Sequence, residues 1–298
     1  MPQLFKIGPY SIFLVKRGRV AMLIAQYFVE FIFYSFLGWL WESFYCTLKE
    51  HRWQDRGFLF GPICPIYGAS VVAASILFRF VPVISSPDLP TWQMFLICMA
   101  GSAIAEFSTS WVLEKRFHAR WWDYSKMPLN IQGRICLPVS LAFGAAGVVI
   151  VKYLLPVMMQ AHTVFPALGY EGLSLGFAIL FGADFALTEA SLSALLSEIE
   201  AFHEEFNEKA ESTYEHIAQA PRHLEENLEE RKQRAQEMAS RRAAGLSSGS
   251  RRMLRNIVAF RADKTARRLT GMSAGEHLKE ALRRIEEERK DMQPPEKK

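Results

Sequence analysis

Five stretches of this chain, 21–46, 62–83, 91–113, 135–159 and roughly 165–196, each carry at most three charged side chains over 20 or more residues. At about 1.5 Å per helical residue, each is long enough to cross a hydrocarbon layer of roughly 30 Å. A lipid-facing backbone must satisfy its own hydrogen bonds, and these runs are too long and too little alternating for barrel strands. The expected fold class is therefore an all-α integral membrane protein with about five transmembrane helices. Charge agrees: the first 197 residues hold 14 Lys or Arg and 11 Asp or Glu, whereas the last 101 hold 21 and 20. Such a split excludes one soluble globular domain. Residues 1–20 read as an N-terminal segment, 21–196 as the membrane domain and 197–298 as a helical, charged soluble tail. Tyr10 to Val15 is too short to span and no small-residue cleavage signature follows, so the first span is expected to be an uncleaved anchor.

With five spans the termini face opposite sides, and basic residues in the short loops choose between them. Lys49, Arg52, Arg56, Lys115, Arg116, Arg120, Lys126 and Arg134 lie on the tail side, against Lys6, Lys16, Arg17 and Arg19 on the other. The majority places the tail in the cytoplasm of a cell membrane, with the N-terminal four opposing it. Cys46, Cys64, Cys98 and Cys136 sit in or beside spans without Cys-x-x-Cys spacing and read as small packing residues.

The membrane part repeats itself. Glu42, Leu48, Trp53-Gln54-Asp55, Arg56, Ile63-Cys64 and Pro65 run parallel to Glu106, Leu113, Trp121-Trp122-Asp123, Arg134, Ile135-Cys136 and Pro138. Two parallel helical hairpins are expected, about 33–83 and 97–159, with the fifth span added after them. Glu42 and Glu106 would then lie at one depth, roughly 9–11 Å below the loop-side ends of their spans. Ser102, Glu106 and Ser110 make a polar stripe at four-residue steps, and Gly38, one turn from Glu42, admits a close backbone neighbour.

A charge near the middle of a membrane helix costs roughly 2.5–3.5 kcal/mol, so each needs a partner or a task. Glu42 and Glu106, with Arg56 and Arg134 in the loops, would line a polar chamber between the repeats, or would form buried ion pairs that fix the hairpins. Asp123, Asn130, Trp122 and Tyr124 would add contacts to a solute or lipid headgroup, with Arg as bidentate donor, or act only as interfacial anchors. Glu30, Lys152 and Asp184 fall at comparable depths and are candidates for buried ion pairing, Lys152 neutralising either acid. Arg79 and Glu189 are near enough to span ends to snorkel. Gly57 to Gly68, with glycines and prolines at turn spacing, reads as a re-entrant or unwound lead-in to the second span.

On Gly38-Trp39 with Glu42, the Arg56-Gly57 to Gly68 stretch, Glu106 with Trp111 and Glu114, Trp121-Trp122-Asp123-Tyr124, Asn130 and Gly133-Arg134-Ile135, the chain resembles a bacterial membrane family known as putative ABC transporter type IV, or putative ABC transporter permease. The resemblance covers roughly 33–145 and implies transport, without a substrate. No Gly is followed by Lys, so the chain has no phosphate-binding loop and ATP would need a separate ATPase subunit. No His-Glu-x-x-His and no Ser or Cys nucleophile with a credible His is visible, and no metal or cofactor is expected; His51 and His118 read as interfacial. An enzyme is disfavoured, although Glu42, Glu106 and Asp123 could serve a lipid-modifying enzyme as acid, base or metal ligands.

Beyond the last span, Leu195, Ile199, Phe202, Phe206, Ala210, Thr213 and Ile217 recur at three- and four-residue steps, a coiled-coil-like seam. Pro221 interrupts it, and a second helix with Leu224, Leu228, Ala235 and Met238 is expected to run to a linker near 245–250. Residues 198–240 hold 12 acids and 5 bases, residues 241–298 hold 8 and 16. These halves could fold on each other or pair between protomers, or the basic one could lie on an anionic leaflet; nucleic acid is a poor fit with acids interspersed. Arg251 to Leu269 reads as a basic amphipathic helix, and Ser273 to Glu276 as a capping box for a last helix ending before Pro294-Pro295. Three functions remain: a transporter-like protein with a small polar or amphiphilic solute, a scaffold acting through its tail, or a lipid-modifying enzyme. The bilayer is a partner in each.

Overall fold

The computed structural model describes residues 9–51, 57–81, 84, 89–217, 224–260 and 272–291. The loop residues Arg52, Trp53, Asp55 and Arg56 fall outside it. The chain divides into two units, one of Met1–Thr109 with Ser125–Phe185, the other of Ser110–Tyr124 with Ala186–Lys298. Secondary structure is almost entirely helical. Among the described residues, four helical segments are long and apolar enough to cross a membrane: Val20–Lys49, Thr91–Phe117, Leu137–Val164 and Ala167–Glu205. The protein is an all-α, multi-pass membrane protein.

In the first unit, α1 (Pro9–Glu50) leads through a non-helical segment to α2 (Pro65–Phe80). The expected span 62–83 is thus only 16 residues of helix, about 24 Å. Pro65 can start the helix because its missing N–H falls in the first turn, and Val81, held extended ahead of Pro82, ends it. α3 (Thr91–Phe117) begins in this unit and ends in the other. Each long helix before a loop stops at a histidine in the left-handed region, His51 after α1 and His118 after α3, both at φ 52°. That position usually takes glycine.

The outward faces of this unit are apolar, with Ile24, Leu40, Ile104, Val157 and Leu180 exposed, while Gln26, Ser35, Glu106 and Ser140 are buried. This inverts the pattern of a water-soluble protein and is what a lipid solvent selects. Small residues bring the helices together: a Cβ on Gly68 would lie 2.2 Å from the Phe31 carbonyl oxygen on α1, and one on Gly147 would lie 2.5 Å from the Cys98 Cβ on α3.

The expected span 135–159 extends to Val164 and changes character midway. α4 (Leu137–Val149) passes into a π-helical turn, Ile150–Leu154, and then α5 (Leu155–Val164). Pro156 lacks the N–H that would bond the Lys152 carbonyl, and the Leu155 N–H reaches back five residues to Ile150. His162 follows Gly144 by 18 residues, five full α-helical turns, so an unbroken helix would aim both at one neighbour. The surplus residue turns the second half by about 100°. Gly144 accordingly meets Phe95 and Met99 of α3, and His162 meets Glu30 of α1.

α6 (Ala167–Ile217) is a 51-residue helix whose last part belongs to the second unit. There Leu192, Leu195 and Phe202 are buried, as are Ala235, Ala239 and Ala243 of α7 (Leu224–Gly245). The side chains of Phe206 to Ile217, Leu224 and Leu228 lie outside the described residues. Arg242 on α7 reaches Glu198 at 3.1 Å and Glu205 at 2.8 Å on α6. Residues 245–250 form a corner rather than an extended linker: Leu246 is buried and Ser247 caps α8 (Ser248–Asn256) by accepting from the Ser250 N–H at 3.0 Å. The expected helix from Arg251 to Leu269 is corrected, for α8 stops at Asn256. The Ile257-Val258-Ala259-Phe260 run favours extended backbone, and β1 (Ala119–Arg120) pairs antiparallel with the strand Ala259–Phe260. α9 (Ala274–Asp291) opens with the reciprocal box, Ser273 N–H to Glu276 at 2.6 Å and Glu276 N–H to the Ser273 hydroxyl at 3.4 Å.

Candidate functional site

Three clusters of polar groups are buried within the first unit. The first surrounds residues 57–64, which are neither helix nor strand. Non-helical backbone at membrane depth survives only where protein satisfies it. Asp184 on α6 does so, accepting from the Phe60 N–H and the Gly61 N–H, one on each carboxylate oxygen, both at 2.9 Å. A Cβ at residue 61 would stand 2.7 Å from Asp184 Oδ2, so the approach requires glycine. On the other side, the Cys64 N–H donates to the Ser35 carbonyl of α1 at 2.9 Å, and the Cys64 thiol lies 3.9 Å from Glu42 Oε2. Leu59, next to Phe60, is completely buried.

The second cluster is built on α3 and the loop after it. Glu106 is 6% exposed and Arg134 7%. The Arg134 guanidinium lies over the Phe107 ring at 5.6 Å, and its Nε is 3.4 Å from Gln132 Oε1. A tight hairpin presents it: Asn130–Ile131 pairs with Ile135–Cys136, and the first two of the three residues between them, Gln132 at φ 55° and Gly133 at φ 69°, are left-handed. Asn130 holds this turn, donating to the Ser125 and Met127 carbonyls and accepting from the Gly133 N–H at 3.1 Å. Its amide serves the loop that carries Arg134.

The third cluster contains Glu30, which is 1% exposed. Its Oε1 is 2.5 Å from His162 Nε2, and His162 Nδ1 is 2.8 Å from the Tyr170 hydroxyl. Lys152 is not the partner of Glu30, nor do Lys152 and Asp184 pair: Lys152 donates to Thr91 Oγ1 at 2.6 Å, and Asp184 serves backbone. The sequence reading missed His162 because it closed the fourth span at Met159. The available signal was a lone histidine in the apolar run 155–165 with a deep acid still lacking a partner.

Asp123, Trp122 and Tyr124 belong to the second unit. There Arg120 joins Glu114 at 2.5 Å and Asp123 at 4.0 Å, while the edge of Trp121 meets Phe117. Glu189 pairs with Arg116 at 2.8 Å. Among the described residues no group of three His, Cys, Asp or Glu side chains is placed to hold a metal ion. The groove between α1 and α2, lined by Tyr27, Phe31, Val72 and Ile76, is open and apolar.

A family model described as "Putative ABC-transporter type IV" matches residues 29–189, more than half of the chain. It takes in all three clusters and reaches beyond the 33–145 window into α6. No curated protein and no solved structure matches.

Proposed function

The chain belongs to the putative ABC-transporter type IV family, and on that premise we propose that it is permease-like, handling a small polar or amphiphilic solute in a polar chamber between two helical-hairpin repeats. The observation that carries this reading is buried charge: Glu106 and Arg134 are more than nine-tenths buried in a unit whose outward face is apolar. An intramembrane ionisable group is a functional-site candidate by default. Glu42 and Glu106 supply carboxylates for the cationic or hydroxylated part of a solute, Arg134 a fork for an anionic part, and Arg56 of the first loop is assigned the matching role. Trp122, Asp123 and Tyr124 make a separate headgroup-contacting cluster in the third loop. Energy, if ATP supplies it, comes from a separate ATPase subunit, and the tail is cytoplasmic.

Several features support two repeats. α1 and α3 both end at a left-handed histidine, and α2 and α4 both start from an extended cysteine, Cys64 and Cys136, with proline in the first turn. Four residues after each cysteine stands a buried small residue, Gly68 or Ser140. Glu42 is nine residues before His51 and Glu106 twelve before His118. Three extra residues turn a helix by about 300°, within about 60° of a full turn, so the carboxylates keep similar bearings while their depths differ by about 4.5 Å.

The test is ligand-dependent thermal stability of the detergent-purified protein, wild type beside Glu42→Gln/Glu106→Gln, against solutes, lipids and nucleotides. A stabilising shift confined to the wild type names the ligand class. If nothing shifts either protein and the double variant is merely much less stable, the glutamates are structural and the chamber is lost. A second reading, a scaffold acting through the tail, draws on the buried core of α7 to α9; it fails if a chain ending after α6 keeps full cellular activity.

A further inference from the structure

We propose that Glu30, His162 and Tyr170 form a proton-binding site inside the membrane unit, distinct from the solute-handling residues above. Glu30 keeps the proton on His162 Nε2 in both states, and the proton gained from water and returned to it is the one on Nδ1.

The geometry fits both states of the imidazole without moving a heavy atom. With His162 protonated, Nε2–H donates to Glu30 Oε1 and Nδ1–H donates to the Tyr170 oxygen. With His162 neutral and its proton kept on Nε2, the Glu30 contact persists and Nδ1 accepts from the Tyr170 hydroxyl instead. Only a hydroxyl can exchange those roles, being both donor and acceptor. Proton uptake forms one N–H bond at Nδ1 and turns the Tyr170 hydroxyl round; release reverses both. Tyr170 is thus a positioning residue, and its ring is fixed edge-on to Phe165 at 5.1 Å.

The surroundings leave Glu30 as the counter-charge. From α1 the other titratable groups on this side are Tyr27 and Tyr34, one turn to either side of Glu30. α5 brings His162, α6 brings Tyr170, and α2 brings Val71 to the core around Tyr34. The nearest lysine along the fourth span, Lys152, is engaged with Thr91. Glu30 Oε2 is buried and has no hydrogen-bond partner among the described residues, so among them His162 is the donor to this carboxylate. Protonated imidazole beside ionised carboxylate is net neutral, which is the state a low-dielectric interior favours. Two residues beyond His162, α5 ends at the Phe165–Pro166 turn that joins two membrane-spanning helices, so the ring lies within about one helical turn of the membrane surface.

The site depends on the π turn. Without its surplus residue His162 would face the α3 side with Gly144, and Glu30 would be buried with no donor at all. A helix interrupted to deliver one histidine to one carboxylate marks the contact as selected, since π turns concentrate at functional sites.

The experiment is nitrogen NMR of full-length protein in lipid nanodiscs, labelled at histidine ring nitrogens, with the His162 signals identified by their loss in His162→Gln. Over the pH range in which the protein stays folded, the wild type should show one reversible transition at His162, with Nδ1 changing from acceptor to protonated. Glu30→Gln, which keeps an acceptor oxygen but removes the charge, should move or abolish that transition. Tyr170→Phe should keep the transition and alter the Nδ1 shift in both states. A wild-type His162 whose nitrogens do not respond to pH overturns the proposal by itself, whether or not the variants fold. A transition identical in wild type and Glu30→Gln overturns it equally. Because the readout is proton occupancy, it stands or falls separately from solute binding at Glu42 and Glu106.

Discussion

Replacing Asp184 with alanine removes the acceptor of two backbone N–H groups at once, those of Phe60 and Gly61. A hydrogen bond to a charged group is worth about 1.5–3 kcal/mol, and stranding the donors adds their desolvation cost. Asp184 is half-buried, which argues for the lower end, so the expected loss is about 3 kcal/mol. That corresponds to roughly 150-fold in the ratio of folded to unfolded protein. Asp184→Asn keeps one acceptor oxygen and should lose about half as much. Gly61→Ala tests the same contact from the other side, since its Cβ would sit 2.7 Å from the carboxylate. The assay is denaturant titration in mixed micelles, followed by the fluorescence of Trp39, whose ring lies 3.8 Å from the Cβ position of Gly57 at the start of the segment. If Asp184→Ala unfolds within about 0.5 kcal/mol of wild type, the size expected of an inert surface change, the carboxylate does not hold the segment and the reasoning is wrong.

Three further outcomes are expected. Gly68→Ala should destabilise the first unit by about 1–3 kcal/mol, because its methyl would meet backbone of α1; Gly101→Ala, with nothing within 4 Å, should be neutral or gain up to about 1 kcal/mol in the same titration. Ser273→Ala should cost the second unit about 1 kcal/mol by opening the capping box of α9, read as earlier amide exchange in that helix. Burial holds the His277 imidazole below its usual value of 6.5, with Glu276 opposing the shift. The unfolded chain therefore takes the proton more readily, and stability is full above 6.5 and falls as the pH drops below it; His277→Phe should flatten that dependence in pH-dependent melts.

The helical class and the membrane setting were legible because charge-free length is a one-dimensional property. The family was legible because its motif residues lie close together, Gly38-Trp39 and Glu42, then Trp121 to Tyr124 and Gly133-Arg134. Partners of the deep charges were not. Depth follows from counting residues, but direction around a helix depends on every turn between, and the π turn at Ile150–Leu154 displaces all that follows by about 100°. Lys152 was thereby set against Glu30 in place of His162. Asp184 was unreadable for another reason: it accepts from two main-chain groups, which no side-chain pattern announces. The hairpin under Arg134 was hidden by Gln132, a residue that seldom takes a left-handed conformation, and α8 was overextended because the basic spacing outweighed the β-forming run 257–260.

A π turn is an α-helix holding one residue more than it needs, and beside Pro156, which has no N–H to give the Lys152 carbonyl, that surplus is fixed in place. The two halves of the fourth span therefore address different neighbours, Gly144 toward α3 and His162 toward α1. One span thereby ties together two helices that an unbroken helix could not reach with those same two residues.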